Sequence, residues 1–499
     1  MSGFRILLLA SVLTVPGCAT HTGTTAPPVA PRAVEELRSD LERVFDAPVI
    51  QRGVWAVDVM SMATGEHLYR LNAERWMMPA SNLKILTLAA AAETLGWDYR
   101  FKTTLEARGP IEAGVLKGDL VVRSNGDPTI NGRDGRAAAV FREWTSAVAA
   151  AGITSVEGRV IGDDQAFDDE GLGAGWAWDY LQYDYAAPVG ALEFNENTAT
   201  LLVAPGTSPG SSPIVSLSPG SGLTLVNLAR TGASGSVDTI DFHRPLDRTV
   251  LEVTGSVPIG GAHTQREVAV VNPTVFFVRS LKDALVAAGV PISGEAVDLD
   301  DVAAELEVTG DADVHPLAST ESPPLRDIAT VMMKVSQNLY AETLLKALGA
   351  ARGGLGTAEG GRIAVHAVLQ KWGVPDDGYT MSDGSGLSRY NYLTAGTLTT
   401  VLERMYKDPR HRDAFAATLA VAGKDGTLAS RLERTRAKGN VVAKTGSISN
   451  VRALSGFVRT RDDEVLAFSI LANDFAAASA TVTYVADLAV EILSNFTRH

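Results

Sequence analysis

Ser81 and Lys84 stand three residues apart at the mouth of an apolar segment, PASNLKILTLAAAAETLG, residues 79–96. Positions i and i+3 of a helix share a face, so the hydroxyl and the amine can meet. A serine hydroxyl is a weak nucleophile until a neighbour takes its proton. A lysine among apolar side chains has its ammonium form disfavoured and can act as that base. The N-terminus of the same helix would favour a developing oxyanion. Taken alone, the pair also fits a lysine on a solvated face, because S-x-x-K is short enough to recur by chance.

Two later stretches add matching chemistry. KVSQNLYAE supplies Ser336 and Asn338 at a turn or helix start. A second hydroxyl there could relay a proton to a leaving amine, and the amide could bind a substrate amide or steady Lys84. VVAKTGS supplies Lys444, Thr445, Gly446 and Ser447 on a strand edge. A cation and a hydroxyl there could hold a carboxylate, while the glycine lets a ligand approach the backbone. Each stretch by itself also reads as a capping serine or a solvated lysine.

The elements that must position these groups follow from periodicity. RAVEELRSDLERVFD (32–46) reads as an amphipathic helix. Residues 53–73 alternate like a strand, turn at Thr64–Gly65 and return as a second strand. Segment 79–96 reads as one helix, with Pro79 and Ser81 in its first turn and Gly96 as its stop. From about 100 to 310 short strands and turn pairs dominate, most densely at 200–270, and NPTVFFVRSLKDALVAAGV (272–290) returns to helix. A structureless insertion of that size is implausible, so the block is one or two inserted domains. Helices resume at 322, and residues 441–474 give three strand-like runs of an antiparallel meander before a final helix.

The 499 residues have room for several domains, and a net charge of −14 without a basic stripe argues against a nucleic-acid partner. The start, MSGFRILLLASVLTVPGC, has one arginine, an apolar run and small residues before Cys18, the only cysteine of the chain. It reads as a secretory signal (1–17) of lipoprotein type with Cys18 as the lipidated residue, which implies export and a membrane anchor. Residues 18–32, rich in Thr, Ala and Pro, read as a flexible tether. The eight histidines are scattered without metal-ligand spacing, so no metal or other cofactor is expected.

In this order the motifs S-x-x-K, S-x-N and K-T-G resemble the signature set of the penicillin-recognising serine enzymes. MPASNLKILTLAAAAETLG, VSQNLYAETLLKALG, DGSGLSRYN (383–391), GKDGTL (423–428) and AKTGSISNVRALSGFV extend the likeness to the class C low-molecular-mass penicillin-binding proteins. That family comprises D-alanyl-D-alanine carboxypeptidase/endopeptidases, and the long gap between Ser81 and Ser336 suits its insertion. The resemblance covers the chain from about 35 to the end and is weakest at 205–265.

It implies an α/β (α+β) serine β-lactamase/transpeptidase-like domain, an antiparallel sheet flanked by helices and interrupted by smaller, mostly-β inserted domains. The expected division is 33–102 with 318–499 for catalysis, 103–200 with 270–317 for the insertion, and 201–269 for a small β domain nested in it. The resemblance also implies roles. Ser81 is acylated, Lys84 takes its proton, Ser336 and Lys444 pass a proton to the departing D-Ala, and Asn338 binds the acyl amide. Thr445 holds the terminal carboxylate, beside Gly446, and the N–H groups of Ser81 and Ser447 form the oxyanion hole. The implied partners are peptidoglycan stem peptides and crosslinks, with β-lactams as acylating inhibitors.

One segment departs from the pattern. Where the family has an acidic residue for a diaminopimelate amine, GWAWDYLQYDY aligns Tyr180, with Asp179 or Asp184 as the alternatives. Two other functions fit parts of the sequence: a non-catalytic wall-binding scaffold lipoprotein, and a β-lactamase or esterase on the same fold. The complete residue set counts against the first, and the large insertion against the second.

Overall fold

The computed structural model describes residues 32–246, 249–302 and 313–498. Along the chain, helix α1 (Arg32–Phe45) leads into strands β1 (Val54–Ser61) and β2 (His67–Leu71), then α2 (Lys84–Thr94). The insertion follows with β3 (Lys102–Arg108), β4 (Asp119–Ser124), α3 (Arg136–Ala150), β5 (Val160–Asp163), α4 (Pro273–Ala287), β6 (Ala296–Asp298) and β7 (Val314–Glu321). Helices α5 (Leu325–Lys334), α6 (Asn338–Ala350), α7 (Ala358–Lys371) and α8 (Ala395–Lys407) come next. Strands β8 (Ala420–Val421), β9 (Val442–Ile448), β10 (Val451–Arg459) and β11 (Val465–Asn473) and helix α9 (Ser479–Asn495) close the chain.

Both ends of the chain build one six-stranded sheet in the order β2-β1-β11-β10-β9-β8, antiparallel throughout. Alternation along a strand sends successive side chains to opposite faces. In β1, Ala56 and Met60 join the core under α2, α6 and α8, while Val57 and Val59 join the core under α1 and α9. Helix α1 buries Val34, Leu37, Leu41 and Phe45, one apolar stripe at helical spacing. Helix α2 is buried from Lys84 through Ala92, which is why its sequence is apolar nearly all round.

The inserted residues form a second sheet in the order β6-β5-β4-β3-β7. Its core joins Leu105, Leu120 and Val122 to Val140 and Trp144 of α3 and Phe277 and Leu281 of α4. Two helices of 15 residues therefore stand beside these strands, so this larger inserted unit is α/β rather than mostly β. The expected return to the first unit at 318 falls inside β7, whose pairing with β3 runs on to Glu321 opposite Lys102. Residues 198–269 hold two three-stranded sheets around Leu201, Val203, Phe242, Leu251 and Val253.

Segment 79–96 is not one helix. Ala80–Leu83 is a 3-10 turn and α2 begins at Lys84, while Gly96 at φ +84° ends it. No helix among the described residues is long and apolar enough to cross a membrane.

Candidate active site

The turn bearing Ser81 is held from three sides. Asn473, the last residue of β11, accepts from Met78 N at 2.7 Å and donates to Met78 O at 3.1 Å. Ala80 has φ +45°, a left-handed conformation costly for a residue with a Cβ, so the surroundings must impose it. Two glycines permit the close approach. A Cβ on Gly386 would lie 1.9 Å from Ala80 O, and one on Gly446 would lie 2.7 Å from Pro79 O. The loop 383–391 and strand β9 thus touch the backbone of the turn that carries Ser81.

Lys84 has no exposed surface. Its Nζ lies 2.9 Å from Ser81 Oγ, 2.6 Å from Asn338 Oδ1 and 2.9 Å from Ser385 O. Burial disfavours its cation and brings its pKa down to about 7, against the opposing pull of the Glu342 and Asp383 carboxylates. An amine that is largely free base just above neutrality, in contact with a serine hydroxyl, is a competent proton acceptor.

Glu342 is itself buried and accepts from Gly384 N at 2.8 Å and Ser385 N at 2.7 Å. Burial, then the nearby Asp383, pushes its carboxyl up to about 7. Asp383 accepts from Gly386 N at 2.8 Å, Ser388 N at 2.6 Å and Asn391 Nδ2 at 2.7 Å, which fixes the turn that presents Ser385 O to Lys84.

Ser336 lies between α5 and α6 at φ +66°, and Asn338 opens α6. Lys444 is also without exposed surface, and its Nζ donates to Ser336 Oγ and to Thr445 O, both at 2.8 Å. Burial, reinforced by the charge of Lys84, drives the Lys444 pKa well below the ordinary lysine value. Strand β8 pairs only with Val442 and Ala443, so β9 presents an open edge from Lys444 onward. Thr445 Oγ1 donates to Thr427 Oγ1 at 2.7 Å.

Ser81, Ser336, Asn338, Thr445 and Ser447 line one cleft, together with Gly386, Thr427, Arg452 and, from the insertion, Tyr180 and Tyr185. Asn338 Nδ2 donates to Tyr185 O at 2.7 Å, which fastens the inserted segment to the start of α6. Tyr185 packs on Tyr183 at 5.4 Å and edge-on to Tyr180 at 5.7 Å. Asp179 and Asp184 are exposed and do not line the cleft, where Tyr180 does. Gly446 sits behind the lining against Pro79. Cys18, the signal 1–17 and nearly all of the tether lie outside the described residues.

Among the described residues, two carboxylate-bearing clusters have metal-like spacing: Glu93–Asp408–His411 and Asp164–Asp298–Asp300. Neither lines the cleft, and Glu93 is already paired with Lys371, Arg410 and His411. Sequence reasoning missed Glu342 and Asp383 as neighbours of Lys84. Only packing buries Glu342 under the loop that DGSGLSRYN forms.

The family model for the D-Ala-D-Ala carboxypeptidase 3 (S13) family matches residues 37–492. The chain is 36% identical over 451 residues to a D-alanyl-D-alanine carboxypeptidase of Actinomadura sp. (strain R39), covering 88% of this chain and 81% of that protein. It is 27% identical over 416 residues to D-alanyl-D-alanine carboxypeptidase DacB of Haemophilus influenzae, covering 81% and 82%. The crystal structure of penicillin binding protein 4 from H. influenzae superposes with a TM-score of 0.77 at 24% identity, covering 93% of this chain and 99% of that one. A second structure of that protein, complexed with a β-lactam, gives 0.70 at 23% identity, covering 91% and 97%.

Proposed function

We propose that this chain, which belongs to the D-Ala-D-Ala carboxypeptidase 3 (S13) family and is a serine DD-peptidase of peptidoglycan, divides its chemistry between two serine–lysine pairs. The observation that carries the proposal is the contact of Lys84 Nζ with Ser81 Oγ and Asn338 Oδ1, in a cleft that also holds Ser336 on Lys444.

Lys84 takes the Ser81 proton as Oγ attacks the carbonyl of the penultimate D-Ala. The N–H groups of Ser81 and Ser447 stabilise the oxyanion, and Asn338 holds the acyl amide. When the C–N bond breaks, Ser336, hydrogen-bonded to Lys444, passes a proton to the departing amine. Thr445 holds the carboxylate of the leaving residue. Water, with Lys84 again as base, then releases the acyl chain from Ser81. A terminal D-Ala and a stem-peptide crosslink present the same kind of D-centre amide, so both carboxypeptidase and endopeptidase cuts fall within this chemistry. A β-lactam acylates Ser81 by the same attack. The aromatic wall of Tyr180 and Tyr185 bounds the acyl side, and Asp179, which stands outside the lining, is proposed to meet a stem-peptide amine at its rim.

Export and lipidation at Cys18 belong to the same proposal. The sequence before Cys18 supports them. Labelling with a fatty-acid probe in cells, lost in Cys18→Ser, is the expected result; an unlabelled wild type would leave an unlipidated exported enzyme.

Intact mass after benzylpenicillin tests the nucleophile. Wild type gains one penicillin mass and releases D-Ala from a D-Ala-D-Ala peptide, and Ser81→Ala does neither. An adduct that persists in folded Ser81→Ala would move the nucleophile elsewhere.

A further inference from the structure

The substrate of this reaction carries a carboxylate on the departing residue, and an anion in a cleft needs a counter-charge as well as hydrogen bonds. Thr445 and Ser447 offer hydroxyls without charge. Lys84 and Lys444 are committed to Ser81 and Ser336, and burial disfavours both cations. Among the residues lining the cleft, Arg452 alone bears a formal charge.

Its place follows from the sheet. Arg452 stands opposite Ser447 in the β9–β10 ladder, and Thr445 stands two residues back along β9. Directly opposed residues share a sheet face, as do residues two apart on one strand, so Thr445, Ser447 and Arg452 project on one side. The guanidinium lies over the Phe475 ring, 5.9 Å from its centroid. Its Nη1 donates to Ile448 O at 2.9 Å and Val451 O at 2.7 Å, which uses both Nη1 hydrogens on the hairpin turn. Among the described residues Nε and Nη2 donate to no protein group. Those two nitrogens form the edge of the planar fork that pairs side-on with a carboxylate. From the other side Arg389 Nη2 donates to Ser449 O at 2.8 Å, so the turn carrying this arrangement is held from both sides.

Resting on the DD-peptidase assignment above, we propose that Arg452 supplies the fixed positive charge for the α-carboxylate of the departing residue, beside the hydroxyls of Thr445 and Ser447. Arg452 then makes the enzyme selective for leaving groups that bear an anion at that carbon, whether a terminal D-Ala or the D-centre of a crosslink. A leaving group amidated there is a poor substrate.

The test compares full-length wild type, Arg452→Gln and Arg452→Lys on an N-acylated D-Ala-D-Ala dipeptide and on its C-terminal carboxamide. Arg452→Gln is expected to lower kcat/KM on the free acid by about 10- to 100-fold, mainly through KM, the loss of one charge-assisted pair. The same variant should leave the carboxamide rate within about 2-fold of wild type, and Arg452→Lys should restore part of the loss on the free acid. Equal losses on both peptides would make Arg452 a prop for the hairpin and overturn the proposal. Unchanged rates on both would overturn it as well. A folded wild type that cleaves neither peptide and takes no penicillin would overturn the DD-peptidase assignment itself, and this proposal with it.

Discussion

Two lysines stand behind the cleft, each fully buried and each on a serine hydroxyl, yet their surroundings differ. Lys84 lies within the field of the Glu342 and Asp383 carboxylates, which hold its pKa near 7 against burial. Lys444 has no comparable support, and the charge of Lys84 adds to its desolvation. Burying an ammonium costs several kcal/mol without a partner, so burial weighs on Lys444 without the opposing carboxylates that Lys84 has. The difference separates their tasks. Lys84, with a pKa near 7, can gain and lose a proton around neutrality, as the proposed base of a two-step acyl transfer must. Lys444 has its cation disfavoured by burial and by the charge of Lys84, and it donates to Ser336 Oγ.

The largest expected break in this comparison is Lys84→Ala. Loss of a general base costs about 10³- to 10⁴-fold, read as the rate of penicillin acylation by intact mass. Lys444→Ala should slow acylation by about 10²-fold, because Ser336 keeps its hydroxyl while losing its partner. Equal losses would erase the distinction between the two.

Glu342→Gln has the smallest expected effect and tests its origin. Acylation requires neutral Lys84, so its rate rises with pH through about 7. Glu342 raises the Lys84 pKa, so removing its charge lowers that pKa and moves the rising limb to lower pH. A limb that stays in place would show that Glu342 serves only to hold Gly384 and Ser385.

The local parts of this arrangement were legible in the sequence because they depend on short spacings. The three-residue step from Ser81 to Lys84, the hairpin at 53–73 and the meander at 441–474 are periodicity and turn chemistry. The sequence-level helix at 79–96 erred at its start, since tertiary contacts from Gly386 and Gly446 impose the turn at Ala80. Pairing of β1 with β11 leaves no trace in either strand. Glu342 looked like an ordinary polar residue of a helix, and only the loop folded over it makes it buried. Arg452 looked like one charge on a strand, because the open end of the cleft beside it is built from segments far apart in sequence.

The sheet also sets a clock. Trp55 finds its neighbour at Ala472, and Lys444 arrives hundreds of residues after Ser81. A chain emerging N-terminus first therefore carries Ser81 long before the strand that completes the cleft. Until the last strands dock, the turn carrying Ser81 lacks Asn473 and Gly446 beside it, and Ser336 lacks Lys444. The cleft is therefore complete only when both ends of the chain are in place.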